Sequence, residues 1–346
     1  MLIRALIGLV FAAYVLGGML FGGGVIATAT AQTWPLLSRT GLQLTSVGDF
    51  VAALPNPSTF MVQAPLRLIP DWQGTERVNV LLLGTDQRED ERKGGIPTRT
   101  DVMLVVSIDP VAKTALMVSF PRDMWVAIPG FGEQRINVAY AYGENRKVPG
   151  GGAATAAHTV ELNFGLSSSY YALVNFEGFE QIIDTLGGVV IDVPRPLKDD
   201  EYPTPDYRIE RIFFQAGPQI MTGSNALKYA RSRHSDSDFA RNSRQRAVLL
   251  AIRDRALRIN VLANLPALLD RGMSAVQTNF STTELLSLAK LAGQIDTVNI
   301  RTLGVEPPLV RGFTGEDGAS LQLPDRAAIK RAIQQLQDMP AAAKSP

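Results

Sequence analysis

The sequence contains no cysteine and only two histidines, His158 and His234. The missing cysteines exclude disulfide bonds, thiolate nucleophiles and zinc sites with cysteine ligands. With only two histidines, a Ser-His-Asp triad or a histidine-rich metal site is nearly excluded. The chain also lacks an excess of one charge, because its formal net charge is +1 over 346 residues. Proteins that bind nucleic acid over a broad surface are usually strongly basic, so we expect no nucleic-acid partner.

Charge is absent from one long stretch near the N-terminus, between Ala5 and Ser38. Its centre, "ALIGLVFAAYVLGGMLFGGGVIA", is long enough at about 1.5 Å per residue to cross a hydrocarbon layer of about 30 Å. We therefore predict that residues 1–32 form a transmembrane signal-anchor, with a signal peptide cleaved near "ATATAQ" as the alternative. Arg4 on the short flank favours a single-pass protein of the cell membrane whose main domain is extracytoplasmic.

The rest of the chain divides by composition. Residues 33–74 carry little charge and five prolines, which predicts an extracytoplasmic linker. From residue 75 to 338, apolar strand patterns such as "RVNVLLLGTD" alternate with helical patterns such as "EGFEQIIDTLGG". This alternation predicts one α/β domain with a mixed central sheet. Residues 339–346 are predicted to be a disordered tail. A glycine run at 150–152 predicts a flexible loop, and no lysine follows it that would make it a P-loop.

Polar residues cluster where three predicted strands begin or end. Asp86 follows the first strand, Arg99 and Asp101 precede the second, and Arg122 follows the third. If the strands are antiparallel neighbours, the first two clusters meet at one end of the sheet. Asp86 and Asp101 are candidates to hold Mg²⁺, or Mn²⁺ in its place, together with ligand phosphate oxygens. Alternatively, one of them is a general base that accepts a hydroxyl proton.

Residues 229–246, "YARSRHSDSDFARNSRQR", gather five arginines in a chain that is otherwise nearly neutral. We expect Arg231 and Arg233 on one face of an extended segment, and Arg241 and Gln245 on one face of a helix that begins near Asp238. Arginine grips phosphate with two hydrogen bonds, which lysine cannot do. With Arg99 and Arg122, these residues predict a pocket for a doubly charged group such as a pyrophosphate.

The remaining arginines of this region are predicted to be ordinary exposed charges of the helix. They are Arg244, Arg246, Arg253, Arg255 and Arg258. We interpret both histidines as structural residues rather than metal ligands.

In this order, the motifs resemble the LytR-CpsA-Psr family of extracytoplasmic cell-wall proteins. The similar segments are "NVLLLGTDQRED", "RTDVMLVVSIDP", "MVSFPRDMWVAIPG", "RINVAYAYG", "YYALVNFEGFEQIIDTLGGVVIDVP" and "ALKYARSRHSDSDFARNSRQR". They cover about residues 78–258, the motif core of the predicted domain. One position departs from the family pattern, because "RQR" with Arg246 stands where "RQQ" is usual.

The resemblance implies a three-layer α-β-α domain and a phosphotransferase activity. Such enzymes move a glycopolymer from a polyprenyl-pyrophosphate carrier to a peptidoglycan hydroxyl and release polyprenyl phosphate. The alternatives are a polyprenyl-pyrophosphate hydrolase and a non-catalytic lipid-binding or regulatory protein. The resemblance places Asp86 and Asp101 at the Mg²⁺ site. It places the pyrophosphate contacts at Arg99, Arg122, Arg231, Arg233, Arg241 and Gln245, with Arg99 and Arg122 also among the catalytic residues.

Overall fold

The structure, a computed structural model, describes residues 69–86, 98–204, 208–233, 237–258, 276–315 and 318–342. The predicted transmembrane segment at 1–32 and His234 lie outside these residues, as do most of the predicted linker and the end of the predicted tail. Within the described ranges, no helix is both long and apolar enough to cross a membrane.

The described stretches form fourteen strands and seven α-helices. The strands are β1 Val78–Thr85, β2 Thr100–Asp109, β3 Thr114–Ser119, β4 Trp125–Ile128, β5 Gly132–Arg135, β6 Tyr170–Asn175, β7 Val189–Val193, β8 Leu197–Pro203, β9 Ile209–Phe214, β10 Gly217–Met221, β11 Val276–Thr278, β12 Ile300–Gly304, β13 Val310–Thr314 and β14 Ser320–Pro324. The helices are α1 Ala139–Asn145, α2 Gly151–Phe164, α3 Phe176–Thr185, α4 Gly223–Arg231, α5 Asp238–Arg258, α6 Thr282–Gly293 and α7 Arg326–Asp338. Short 3₁₀ turns occupy Ile136–Val138 and Thr297–Asn299.

Six strands make the central sheet, in the order β11-β6-β1-β2-β3-β12. The strand β2 is antiparallel to both β1 and β3, whereas β6 runs parallel to β1 and β12 parallel to β3. Asp109 closes the β2–β3 turn by accepting hydrogen bonds from the backbone N–H groups of Val111 and Ala112. The predicted α/β fold with a mixed sheet is therefore confirmed.

Both faces of the sheet are covered, which explains the near-continuous apolar run of β1. Leu81 and Leu83 pack with residues of α2 and α7 on one face. Val78 and Val80 belong to a second cluster that includes Leu291 of α6. Because successive side chains of a strand point to opposite faces, a strand covered on both sides needs apolar residues at almost every position.

A third apolar cluster lies beside the sheet and supports the arginine-rich segment. It joins the antiparallel β7–β10 pair and the β8–β9 hairpin to α3, α4 and α5. Tyr229 in α4 is 2% exposed and its ring packs edge-on against Phe214 of β9, with the ring centroids 5.5 Å apart. This packing fixes the end of α4 against the β8–β9 hairpin.

The glycine run at 150–152 is not a flexible loop, so that prediction was wrong. Gly150 takes a left-handed conformation with φ of 80° and precedes α2, which begins at Gly151. A Cβ atom on Gly152 would lie 2.4 Å from the carbonyl oxygen of Tyr140. The absence of a side chain therefore lets α2 approach α1 closely.

Helices α3 and α4 are also in close contact, at Gly223. A Cβ atom there would lie 2.3 Å from the carbonyl oxygen of Glu180, and the Gly223 N–H donates to Asp184 Oδ1 at 2.7 Å. We expect Gly223→Ala to lower the free energy of unfolding by about 1–3 kcal/mol, because backbone must move to admit the methyl group. Chemical denaturation measures this. The control is Gly312→Ala in β13, where no atom lies within 4 Å of the added carbon; equal losses in both variants would contradict the explanation.

The described arginine side chains along α5 are buried or half-buried, which corrects the prediction that they are exposed charges. Arg244 is 7% exposed and donates to the carbonyl oxygens of Tyr229 and Ser232 at the end of α4. Arg253 donates to the carbonyl oxygens of Ala292 and Ile295.

Two further arginines of α5 show the same behaviour. Arg255 donates to the carbonyl oxygen of Leu186, 2.9 Å away, at the end of α3. Arg246 is half-buried and donates to Ser119 Oγ at the end of β3, and burial lowers its pKa. Helix ends leave carbonyl groups without intrahelical partners, so α5 supplies donors to the ends of α3, α4 and α6. The side chain of Arg258 lies outside the described residues.

Candidate functional site

A cavity of about 180 Å³ opens where the ends of β1 and β3 and the start of β2 meet the arginine-rich segment. The structure brings seven of the eight predicted site residues to its wall: Asp86, Asp101, Arg122, Arg231, Arg233, Arg241 and Gln245. Arg99 is the exception, because it is exposed just before β2 and does not line the cavity. The roles of all eight residues remain predictions.

The two predicted carboxylates reach the cavity because β1 and β2 are antiparallel neighbours. Thr85 at the end of β1 pairs with Thr100 at the start of β2, so Asp86 and Asp101, each adjacent to one of these threonines, lie at the same end of the sheet. Asp86 is in contact with Arg231, and Asp101 accepts a hydrogen bond from Arg122 at 2.9 Å. Each carboxylate is therefore matched with an arginine across the cavity.

Arg122 lies among three carboxylates. Its Nη1 atom is 2.9 Å from Asp101 Oδ1, and its Nε atom is 3.5 Å from Asp123 Oδ2 and 3.9 Å from Asp238 Oδ1. Burial alone would lower the pKa of Arg122, but the neighbouring carboxylates, led by Asp101, outweigh burial and raise that pKa. Its positive charge is thus held firmly at the edge of the sheet.

Arg231 is the last residue of α4, so the prediction of an extended segment was wrong at this position. Its Nη2 atom lies 3.1 Å from Asp86 Oδ2, and its Nη1 atom donates to the Tyr202 hydroxyl at 3.1 Å. The guanidinium also stacks over the ring of Phe176, with its Cζ atom 4.0 Å from the ring centroid. A carboxylate, a phenol and an aromatic face therefore orient this cation.

Arg233 follows α4 and is exposed, although it lines the cavity. Its backbone N–H donates to Asp199 Oδ2 at 3.3 Å, and the Ser232 hydroxyl donates to the same oxygen at 2.9 Å. Asp199 is only 1% exposed. The backbone that carries Arg233 is thus fixed by a buried carboxylate.

Arg241 is 3% exposed and lies in the first turn of α5, as predicted. Its Nε and Nη2 atoms find no partner with hydrogen-bond geometry among the described residues, although Nη2 is 2.8 Å from Asp238 Oδ1. Burial lowers the pKa of Arg241 and raises that of Asp238. Buried donors without acceptors are costly, so an anion in the cavity would stabilise this arrangement.

Gln245 lies one turn after Arg241 and lines the same cavity, which agrees with the prediction that the two share a helix face. Its Nε2 atom donates to the carbonyl oxygen of Ala230 at 3.4 Å. The helix dipole of α5 also favours negative charge near its first turn.

The donor set at the cavity suits a cation only in part. In the described portion of the chain, no group of three or more acidic or histidine side chains is arranged to hold a metal ion. Asp86 and Asp101 supply two carboxylates at one wall. Mg²⁺ typically takes one or two carboxylates and completes its shell with water and phosphate oxygens. These two residues therefore fit a magnesium ion that arrives with a phosphorylated ligand.

Five further residues line the wall that the sequence did not predict: Val102, Phe176, Asp199, Tyr202 and Pro203. Of these, Phe176, Asp199 and Tyr202 contact the segment that carries Arg231 and Arg233. Phe176 stands in an apolar run where core and site residues have the same appearance. Asp199 and Tyr202 stand in the acidic stretch "LKDDEYP", which has the composition of an exposed strand. The one available signal is the alternation of the strand, which places Asp199 on the same face as the apolar Leu197 and Asp200 on the opposite face.

Together, the fold and the cavity define an α/β protein with a cavity lined by four arginines at one end of its central sheet. The chain belongs to the LytR_cpsA_psr family, whose model matches residues 56–338. The family predicted from the sequence motifs is therefore confirmed.

Named relatives agree with this assignment. The polyisoprenyl-teichoic acid–peptidoglycan teichoic acid transferase TagU of Oceanobacillus iheyensis is 36% identical over 234 residues, which is 67% of each chain. The transferase of the same description, TagV of Bacillus subtilis, is 33% identical over 66% of this chain and 56% of TagV. The chain thus spans little more than half of TagV.

Solved structures show the same fold. The crystal structure of B. subtilis TagV matches with a TM-score of 0.61 and 26% identity, covering 78% of this chain and all of that one. A structure described as TagT bound to LI-WTA matches with a TM-score of 0.60 and 26% identity, covering 78% of this chain and 93% of TagT.

Proposed function

We propose that the protein is an extracytoplasmic phosphotransferase that moves a glycopolymer from a polyprenyl-pyrophosphate carrier to a hydroxyl of peptidoglycan. The observation that carries the proposal is the cavity in which Arg122, Arg231, Arg233 and Arg241 meet Asp86 and Asp101. The names of TagU and TagV, both teichoic acid transferases that act on peptidoglycan, support the same reaction.

The reaction breaks the bridging P–O bond of the carrier's diphosphate. The acceptor oxygen bonds to the phosphorus that carries the glycopolymer, and polyprenyl phosphate leaves with the bridging oxygen. Charge builds up on the leaving phosphate and on the transferred group. Arg122, Arg231 and Arg241 neutralise this charge, and the buried position of Arg241 strengthens its interaction. In the alternative to a metal-binding role, Asp86 or Asp101 accepts the proton that the hydroxyl loses.

Mg²⁺ is proposed as the cofactor, with Mn²⁺ able to replace it, and Asp86 and Asp101 as its protein ligands. A divalent cation at this position supplies charge neutralisation for the diphosphate oxygens. The support is that Asp86 and Asp101 line a cavity that four arginines also line.

We expect a chelator to reduce transfer by about a hundredfold or more, because diphosphate repulsion then has only the arginines to oppose it. Transfer is measured with EDTA and then with added Mg²⁺ or Mn²⁺, which should restore it. Ca²⁺ should restore less, since its coordination is larger and more flexible. Full activity in EDTA would exclude the metal.

The membrane is the proposed location, through an anchor at residues 1–32. The support is the charge-free run from Ala5 to Ser38, long enough to cross a bilayer. A lipid-linked donor is also confined to the membrane, so an anchored enzyme meets it in two dimensions.

The function is tested with a labelled lipid-linked donor, incubated with and without peptidoglycan. Transfer requires label in the glycan and release of polyprenyl phosphate that depends on the acceptor. Release at the same rate without acceptor would instead identify a polyprenyl-pyrophosphate hydrolase. Donor binding without any turnover would identify a non-catalytic lipid-binding protein.

A further inference from the structure

A bulge in β8 turns two residues of one strand toward the cavity. Asp199 pairs with Ile212 and Tyr202 pairs with Glu210, so β8 contains one more residue than β9 over this interval. In a regular strand, residues three apart point to opposite faces. The extra residue cancels that alternation, and Asp199 and Tyr202 are both buried, at 1% and 3% exposure.

The bulge is held in place by Asp199 itself. Its Oδ1 atom accepts a hydrogen bond from the backbone N–H of Glu201 at 3.0 Å, within the bulged interval. The neighbouring Asp200 is exposed and pairs instead with Lys198 and Arg211. One carboxylate therefore faces inward and the next faces solvent.

Both inward residues contact the segment that carries two cavity arginines. Tyr202 accepts a hydrogen bond from Arg231 Nη1 at 3.1 Å, and its ring lies 5.5 Å from Arg231 Cζ. Asp199 accepts hydrogen bonds from the Ser232 hydroxyl and from the Arg233 backbone N–H, at 2.9 and 3.3 Å. Three consecutive residues are thus held by hydrogen bonds to β8: Arg231 through its guanidinium, Ser232 through its hydroxyl and Arg233 through its backbone N–H.

We propose that the β8 bulge, Asp199–Tyr202, is a positioning device that holds Arg231 and Arg233 ready for the diphosphate. The inference rests on the proposed function, because it assumes that these arginines bind a diphosphate. Long arginine side chains lose conformational freedom on binding, and fixing them beforehand removes that cost from the binding step. Tyr202 and Asp199 act through the arginines and take no part in bond making.

The first test measures binding of inorganic pyrophosphate with Mg²⁺ by calorimetry. We expect Tyr202→Phe to weaken binding about tenfold, since it removes one hydrogen bond to a charged group. Tyr170→Phe is the control, because its hydroxyl is also hydrogen-bonded to a charged partner, donating to Glu284, at the far end of β6. In an Arg231→Lys background, Tyr202→Phe should change affinity less than about twofold. A structural defect would instead reduce affinity by the same factor in both backgrounds, which would overturn the proposal.

The second test concerns Asp199. Asp199→Asn should weaken pyrophosphate binding about tenfold or more. Both carboxylate oxygens of Asp199 accept hydrogen bonds, whereas the side chain of asparagine has one oxygen that accepts and an NH₂ group that cannot. Asp200→Asn, which removes the same charge one residue away, should leave binding unchanged. If Asp199→Asn does not fold, Ser232→Ala removes only the hydroxyl contact and should still weaken binding severalfold, with an unchanged melting temperature.

The outcomes separate the two proposals. A wild-type protein that fails to bind pyrophosphate overturns the proposed function and the positioning role together. A wild-type protein that binds it, with Tyr202→Phe and Ser232→Ala binding equally well, overturns the positioning role alone.

Discussion

Replacing Asp86 with asparagine should lower the rate of glycopolymer transfer by about a thousandfold. The carboxylate has two expected tasks, since it pairs with Arg231 at 3.1 Å and is a proposed ligand of Mg²⁺. Asparagine keeps the shape and removes the charge, and losses of this size follow when a group that stabilises developing charge is removed. Initial rates with a labelled lipid-linked donor measure the effect.

The control for this variant is Asp200→Asn, which makes the same change in charge on the exposed face of β8. Asp86→Asn should also shift the Mg²⁺ dependence of any residual activity to higher concentration, whereas Asp200→Asn should not. Transfer close to the wild-type rate in Asp86→Asn would show that the metal and the proton acceptor have been assigned to the wrong residue.

Replacing Arg231 with lysine should lower transfer by about a hundredfold, although the charge is unchanged. The guanidinium contacts Asp86 and Tyr202 and stacks on Phe176. An ammonium group is compact and cannot make these planar contacts while also gripping a phosphate with two hydrogen bonds. The loss is expected mainly in kcat, because the bidentate grip strengthens as charge develops on the phosphate.

Arg211→Lys in β9 is the matched control, since that arginine is exposed and pairs only with Asp200 in the described part of the chain. It should transfer at the wild-type rate. If Arg231→Lys also transfers at the wild-type rate, the argument for a grip specific to arginine is lost. Positive charge alone, from either arginine or lysine, would then be sufficient for the function of the cavity.

The part of the site at the strand ends could be predicted because it depends on short-range rules. Polar residues that flank apolar strands meet at one end of the sheet when the strands are antiparallel neighbours, and the Thr85–Thr100 pairing places Asp86 and Asp101 at the same end in this way. The position of Arg241 followed from the helix start at Asp238. Arg99 shows the limit, because flanking a strand does not decide which way a side chain points.

Other parts of the site depend on information that the sequence pattern does not carry. One extra residue in β8 decides that Tyr202 is buried and Glu201 exposed, and nothing in "LKDDEYP" marks the place of the bulge. Burial of the α5 arginines was missed for a related reason. An arginine that donates to backbone carbonyls needs no acidic partner, so no pattern of paired charges indicates it.

Salt should act differently on two kinds of arginine in α5, those that bind backbone carbonyl groups and Arg241, which lines the cavity. Arg244, Arg253 and Arg255 donate to carbonyl oxygens at the ends of other helices, at short range and largely away from solvent. Dissolved ions screen such contacts little. Dissolved anions compete directly with an anionic ligand for the guanidinium group of Arg241, which lines the cavity. One helix can therefore keep its tertiary packing in a concentrated electrolyte while its ligand affinity falls.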